Sequence, residues 1–107
     1  MPTQRFRIAI TGKGALFRAK RWFYSSFYSN TPDDVKEENK RAWVSLAAKI
    51  IEEMNKRGVS DKPARLTIEY EAGSRGKFIP TSATLEVIEM RVLETINIHA
   101  SEEAKKG

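Results

Sequence analysis

Hydrophobic and polar positions along this chain change period several times, and each change marks an element. From Arg5 to Thr11, Phe6, Ile8 and Ile10 alternate with Arg5, Arg7 and Ala9. Period two is the pattern of a half-buried strand. Gly12-Lys13-Gly14 ends it, and a helical period runs from about Ala15 to Tyr28. At about 100° per residue, Leu16, Phe23 and Phe27 share one face with Ala19 beside it, the expected core face. Phe17, Tyr24 and Tyr28 fall on one flank next to Arg21, and Trp22 falls on the other near Arg18. A half-buried helix does not hide both flanks, so some of these rings are expected to be accessible or to meet another subunit.

Thr31-Pro32-Asp33-Asp34 reads as a second helix start. Thr31 is suited to the cap and Pro32 to the first helical position, and two acids favour the positive end of the dipole. The helix runs to about Arg57, with Gly58 as its stop. Val35, Ala42, Trp43, Leu46, Ile50 and Met54 form an apolar stripe, which assigns Trp43 to the core. Glu37/Arg41, Glu52/Lys56 and Glu53/Arg57 have the i,i+4 spacing of ion pairs on the wet side. After a loop over Val59–Pro63, Leu66, Ile68 and Tyr70 alternate with Thr67, Glu69 and Glu71, a second strand. Ala72–Gly76 reads as a hairpin turn, and Lys77-Phe78-Ile79 begins a return strand that Pro80 interrupts.

Thr84–His99 is rich in β-branched residues and changes phase near Val87-Ile88, which predicts a bulge or a helical turn there. One strand of that length would reach about 50 Å. Its distal part, Leu93–Ile98, is expected to pair with a second subunit. Ser101–Gly107 reads as a charged, mobile tail after a single domain over residues 1–100. The order of elements predicts an α+β fold: a mainly antiparallel sheet covered on one face by two helices.

Composition narrows the function. At 107 residues and 40% apolar, the chain supports one small core. It has no cysteine, which excludes disulfides, thiolate metal sites and cysteine nucleophiles. No apolar run approaches the roughly 20 residues of a membrane span, and the N-terminus lacks the pattern of a secretory signal. A cytoplasmic protein with no membrane partner is the expectation. His99 is the lone histidine, and no His/Asp/Glu cluster has metal-ligand spacing. No enzyme activity, cofactor or metal is therefore expected. A small carboxylate-metal nuclease, built on acids such as Glu86, Glu89 and Glu94, is the weakest alternative.

Charge distribution is more informative than net charge. Residues 1–32 contain six positive side chains and no acid, whereas residues 33–107 hold 13 basic against 14 acidic side chains. A localised excess of this kind points to an anionic partner, the alternative being a solvated helix face. Within the same block, residues 17–28 hold six of the ten aromatic residues. Positive charge attracts phosphate and aromatic faces stack on bases, so interleaving the two suits single-stranded nucleic acid. The candidate phosphate contacts are Lys13, Arg18, Lys20 and Arg21, and the candidate stacking rings are Phe17, Trp22, Tyr24 and Tyr28. Arg75 and Lys77 at the hairpin tip extend a phosphate track or belong to a solvated turn. Gly12-Lys13-Gly14 is either a backbone phosphate site or a tight turn, and it is not a Walker motif. Arg5 and Arg7 are expected to pair with Glu69 and Glu71 across the sheet.

With this order of elements, the Arg18-x-Lys20-Arg21-Trp22-Phe23-Tyr24 region, the long helix after it and a Lys/Glu-rich, Asn/Gln-poor composition, the chain resembles the ThermoDBP group. These are archaeal single-stranded DNA-binding proteins unrelated to the OB-fold. The resemblance implies a helix-covered sheet with a basic, aromatic-lined cleft that binds DNA without base specificity. It also implies assembly into dimers or tetramers. The chain lacks the C-terminal leucine heptad extension of longer members, which leaves open a different oligomer or partner. The expected partners are thus single-stranded DNA or RNA and further copies of the chain. The competing expectation is a protein-interaction or assembly module, with the aromatic helix and the C-terminal strand as subunit interfaces.

Overall fold

The computed structural model describes residues 2–100; the charged tail expected at 101–107 lies outside the described residues. The elements are β1 (Thr3–Arg5), α1 (Gly12–Phe27), α2 (Asp33–Arg57), β2 (Ala64–Ala72), a 3-10 turn (Ser74–Gly76) and β3 (Phe78–Val87). The three strands form an antiparallel sheet in the order β1-β2-β3. The fold is α+β, as the pattern predicts. Ala64, Leu66 and Ile68 of β2 are buried and join Ala15, Ala19, Phe23 and Phe27 of α1 and Trp43, Ile50 and Met54 of α2 in one core. Phe23 stacks on Trp43 at 5.3 Å and 13°, which fixes the two helices against each other.

The first strand departs from its simple alternation. Thr3, Gln4 and Arg5 oppose Glu69, Ile68 and Thr67, yet Ala9 bridges Ala64. One extra residue has entered the first segment between these pairings, a bulge that reverses which side chains face inward. Phe6 and Ala9 are buried, while Ile8 and Ile10 are exposed. The reason is space. A Cβ added at Gly14 would lie 3.5 Å from the Ala9 Cβ, so the slot beneath α1 takes alanine rather than isoleucine.

The register also changes the fate of Arg5 and Arg7. Arg5 faces Thr67, and neither arginine forms an ion pair among the described residues. The ion pair of the sheet is Arg65–Glu86, with Nε–Oε1 at 3.0 Å and Nη2–Oε2 at 3.3 Å. It holds the Glu86 carboxyl below its ordinary range, and the charge of Arg5 acts in the same direction.

The second helix begins one residue later than expected, with Pro32 at the cap and no side-chain cap bond. It stops at Gly58 in the left-handed region (φ 64°), as expected of a C-terminal glycine. Its stripe contains a residue that pattern reading passed over. Asn39 is fully buried, and its Nδ2 donates to Phe27 O at 2.8 Å and Gly76 O at 3.0 Å, while its Oδ1 accepts from Phe78 N at 2.8 Å. One side chain thus ties the end of α1, the 3-10 turn and the start of β3. Pro80 is accommodated in β3 because the strand is an edge and carries a register shift opposite Glu69/Tyr70.

The long C-terminal strand is shorter than its composition implies. The ladder ends at Val87, Ile88 N donates to Pro63 O at 2.8 Å, and residues 89–100 are exposed without ladder partners among the described residues.

Candidate nucleic-acid interface

α1 is built to show a basic outer surface. Thr11 caps it, its hydroxyl accepting from Gly14 N at 2.9 Å. The backbone phosphate site envisaged at Gly12-Lys13-Gly14 is not formed, because Lys13 N donates to Ser60 O at 3.2 Å and Gly14 N is spent on Thr11. Gly12 is required for close packing. A Cβ there would meet Met54 Sδ at 2.8 Å and Val59 O at 3.0 Å. The lysine between the glycines is nevertheless placed to act through its side chain.

A groove of about 560 Å³ lies between the outer sides of α1 and α2. Lys13, Phe17, Lys20 and Tyr24 line it from α1, about three turns of one helix flank. Val44, Ala47, Ala48 and Ile51 line it from α2. Phe17 is 59% exposed, and Val44 and Ile51 are exposed beside it. The second wall was not anticipated, although Val44, Ala47, Ala48 and Ile51 recur at i, i+3, i+4 and i+7 and so form a second apolar stripe on α2.

Arg18 and Arg21 do not line this groove, and Arg18 reaches the segment after β1. Arg18 Nη1 donates to Ile8 O at 3.2 Å, which holds the guanidinium beside the bulge. Arg21 is exposed. Tyr28 is half-buried, 5.0 Å from the Tyr24 ring, and carries Lys36 Nζ 5.0 Å above its own ring centre.

Trp22 turns the other way. It is half-buried and makes edge contacts of 5.3–6.0 Å with Phe6, Phe27, Tyr70 and Phe78. Its position on the wheel reaches the sheet because β2 and β3 bring Tyr70 and Phe78 beneath that flank. The ring seats α1 on the sheet and is not an open platform.

The charges divide sharply. Arg5, Arg7, Lys13, Arg18, Lys20 and Arg21 form no ion pair among the described residues. Arg75 and Lys77, by contrast, are neutralised by α2. Arg75 makes two 2.9 Å bonds to Asp34, and Lys77 Nζ lies 3.4 Å from Glu38. The Arg75 hydrogen bonds hold the Asp34 carboxyl below its ordinary value. Arg75 is also in the left-handed region (φ 61°), a conformation unusual for a side chain of this size. The hairpin tip is therefore a tied corner and not an extension of the basic surface.

No family model matches this sequence, and no curated protein matches it significantly. Among solved structures it is similar to the crystal structure of Pyrococcus furiosus Thermo-DBP-RP1, a DNA-binding protein by name. The TM-score is 0.62 at 18% identity, over 82% of this chain. This chain spans 58% of that protein's length. At this identity the likeness is one of fold.

Proposed function

We propose that this chain binds single-stranded nucleic acid, DNA in the first instance, without reading its sequence and without catalysing a reaction. The observation that carries the reading is the division of charge: no cation of the first 32 residues forms an ion pair among the described residues. Unpaired cations that neutralise phosphates displace the counterions condensed on the nucleic acid, and cations already paired contribute little. Lys13 and Lys20 attract the backbone to the α1/α2 groove, and Phe17 and Tyr24 present ring faces to the bases. Arg18 and Arg21 extend the positive surface around α1, and Tyr28 continues the aromatic flank. Trp22 belongs to the framework in this reading, and Arg75 and Lys77 are set aside. The fold shared with a protein named for DNA binding supports a nucleic-acid partner by analogy. The active form is a homo-oligomer, a dimer or tetramer.

The experiment is a fluorescence-anisotropy titration of labelled single-stranded and duplex oligonucleotides across a salt series. Binding that favours single strands and weakens with salt supports the reading. A second reading, an assembly module that uses the groove for protein, is favoured by the exposed Phe17, Val44 and Ile51. Absence of binding to any oligonucleotide at low salt would reject the first reading in favour of the second.

A further inference from the structure

Residues 88–98 have the pattern of a strand and no sheet to join. The even positions Ile88, Met90, Val92, Ile96 and Ile98 are apolar, broken by Glu94. The odd positions are Glu89, Arg91, Thr95 and Asn97, broken by Leu93. Period two with one apolar face marks a strand that buries that face. Yet Met90 is 65% exposed, Val92 79%, Ile96 71% and Ile98 89%.

The same structure holds a place that such a strand fits. β3 ends the strand order, so one side of its backbone lacks a neighbouring strand among the described residues. Between that edge and α2 runs a groove of about 840 Å³. Ala42, Leu46 and Ile50 of α2 and Ala83 and Leu85 of β3 line it, with Lys49. Its β3 wall runs from Pro80 to Val87, about 23 Å of extended chain, which accommodates the Met90–Ile96 run of about 20 Å.

The chain cannot reach its own groove. To lie beside its own β3, it would have to reverse at once after Val87. Val87-Ile88-Glu89-Met90 contains none of the glycine, asparagine or aspartate that tight hairpins need for positive φ. Ile88 N is also tied to Pro63 O at 2.8 Å, beyond the end of the ladder. The arm therefore leaves the sheet, and the molecule measures 66 Å along its longest axis against 34 and 22 Å across.

We propose that residues 88–98 of one copy add as a fourth strand to the β3 edge of a second copy, between that strand and α2, and that the exchange is reciprocal. The apolar even face covers Leu46 and Ile50, and Glu94, the one acid on that face, is met by Lys49. Reciprocal exchange uses the same two surfaces in both copies and closes the assembly at two. It also removes an open strand edge that would otherwise invite unlimited pairing. The inference deepens the homo-oligomer of the proposed function, and its test contains no nucleic acid, so the two fail separately.

The first measurement is light scattering on the full chain. A dimer is expected, and Val92→Asp with Ile96→Asp should yield a monomer that still unfolds in one cooperative circular-dichroism transition, since both side chains are exposed within a single chain. A full chain that is monomeric at all concentrations, or a double variant that remains dimeric, overturns the proposal. The second measurement uses the absence of cysteine. Chains carrying only Ser45→Cys are mixed with chains carrying only Val92→Cys and joined with a short bismaleimide. Cross-linking between the two kinds of chain is expected. Efficient cross-linking of Val92→Cys to itself, with none to Ser45→Cys, would mean that the arms pair with each other, and the proposed seat would be wrong.

Discussion

Two double variants that remove the same charge should behave differently. Lys20→Ala with Arg21→Ala removes two cations that have no carboxylate partner among the described residues. Arg75→Ala with Lys77→Ala removes two that are bonded to Asp34 and paired with Glu38. Each phosphate neutralised on a single strand contributes about 0.7 to the slope of log affinity against log salt. If Lys13, Arg18, Lys20 and Arg21 each meet one phosphate, the slope is about −2.8, an affinity loss of about 50-fold between about 50 and 200 mM salt. Without Lys20 and Arg21 the slope falls to about −1.4, and the loss over the same range to about 7-fold. The hairpin variant should keep the parent slope. Anisotropy titrations of one labelled single strand with all three proteins give the three slopes directly. Equal flattening in both variants would show that net charge alone governs binding, and the α1 surface would lose its special role.

Phe17→Ala should weaken single-strand binding by about 1–3 kcal/mol, the value of one stacked base, while leaving the thermal melt nearly unchanged because the ring is 59% exposed. Trp22→Ala should instead destabilise the fold by about 3 kcal/mol in urea titrations, since four ring contacts are lost beneath α1. Asn39→Ala strands two carbonyls and one N–H in the core and should cost about 3–5 kcal/mol, read as a lowered urea midpoint with an unchanged m-value. Arg75→Ala should let the Asp34 carboxyl rise towards 3.8, followed by NMR titration. Because the folded-state value is depressed, the contribution of Asp34 to stability is full above its ordinary pKa and is lost as pH falls through the lowered one; the variant loses that acid sensitivity.

Much of the fold was legible because local signals agreed with one another. The α2 helix showed its acids at the start, its stripe and its Gly58 stop, and each is a property of neighbouring residues. The hairpin between β2 and β3 was marked by Gly73 and Gly76 around Ser74-Arg75. What escaped was set by distant contacts. The bulge before Ala9 follows from how closely Gly14 of α1 approaches, which no window of residues 5–11 contains. Asn39 interrupts an apolar stripe, and its worth appears only when Phe27, Gly76 and Phe78 converge on it. The Thr84–His99 segment has strand character throughout, but a ladder needs a partner strand, and β2 supplies one only as far as Ala64 opposite Val87.

The candidate site divides along the same line. Composition located the basic and aromatic block, and the helical wheel correctly separated Phe17 and Tyr24 from Trp22. The wheel treats its two flanks as equivalent, and the fold does not. One flank meets α2 across a groove that leaves Phe17 open, and the other lies over Tyr70 and Phe78, which close over Trp22. Charge behaves in the same way. Lys20 and Arg75 are both basic side chains in the sequence, but α2 brings Asp34 to Arg75 and brings apolar residues and Asn55, with no carboxylate, to the groove beside Lys20. The acids of this chain lie on elements that follow Pro32, and those elements pair with one another. The first helix is left with its charge unspent, and that imbalance, set by where the acids fold, is the physical basis for expecting an anionic ligand there.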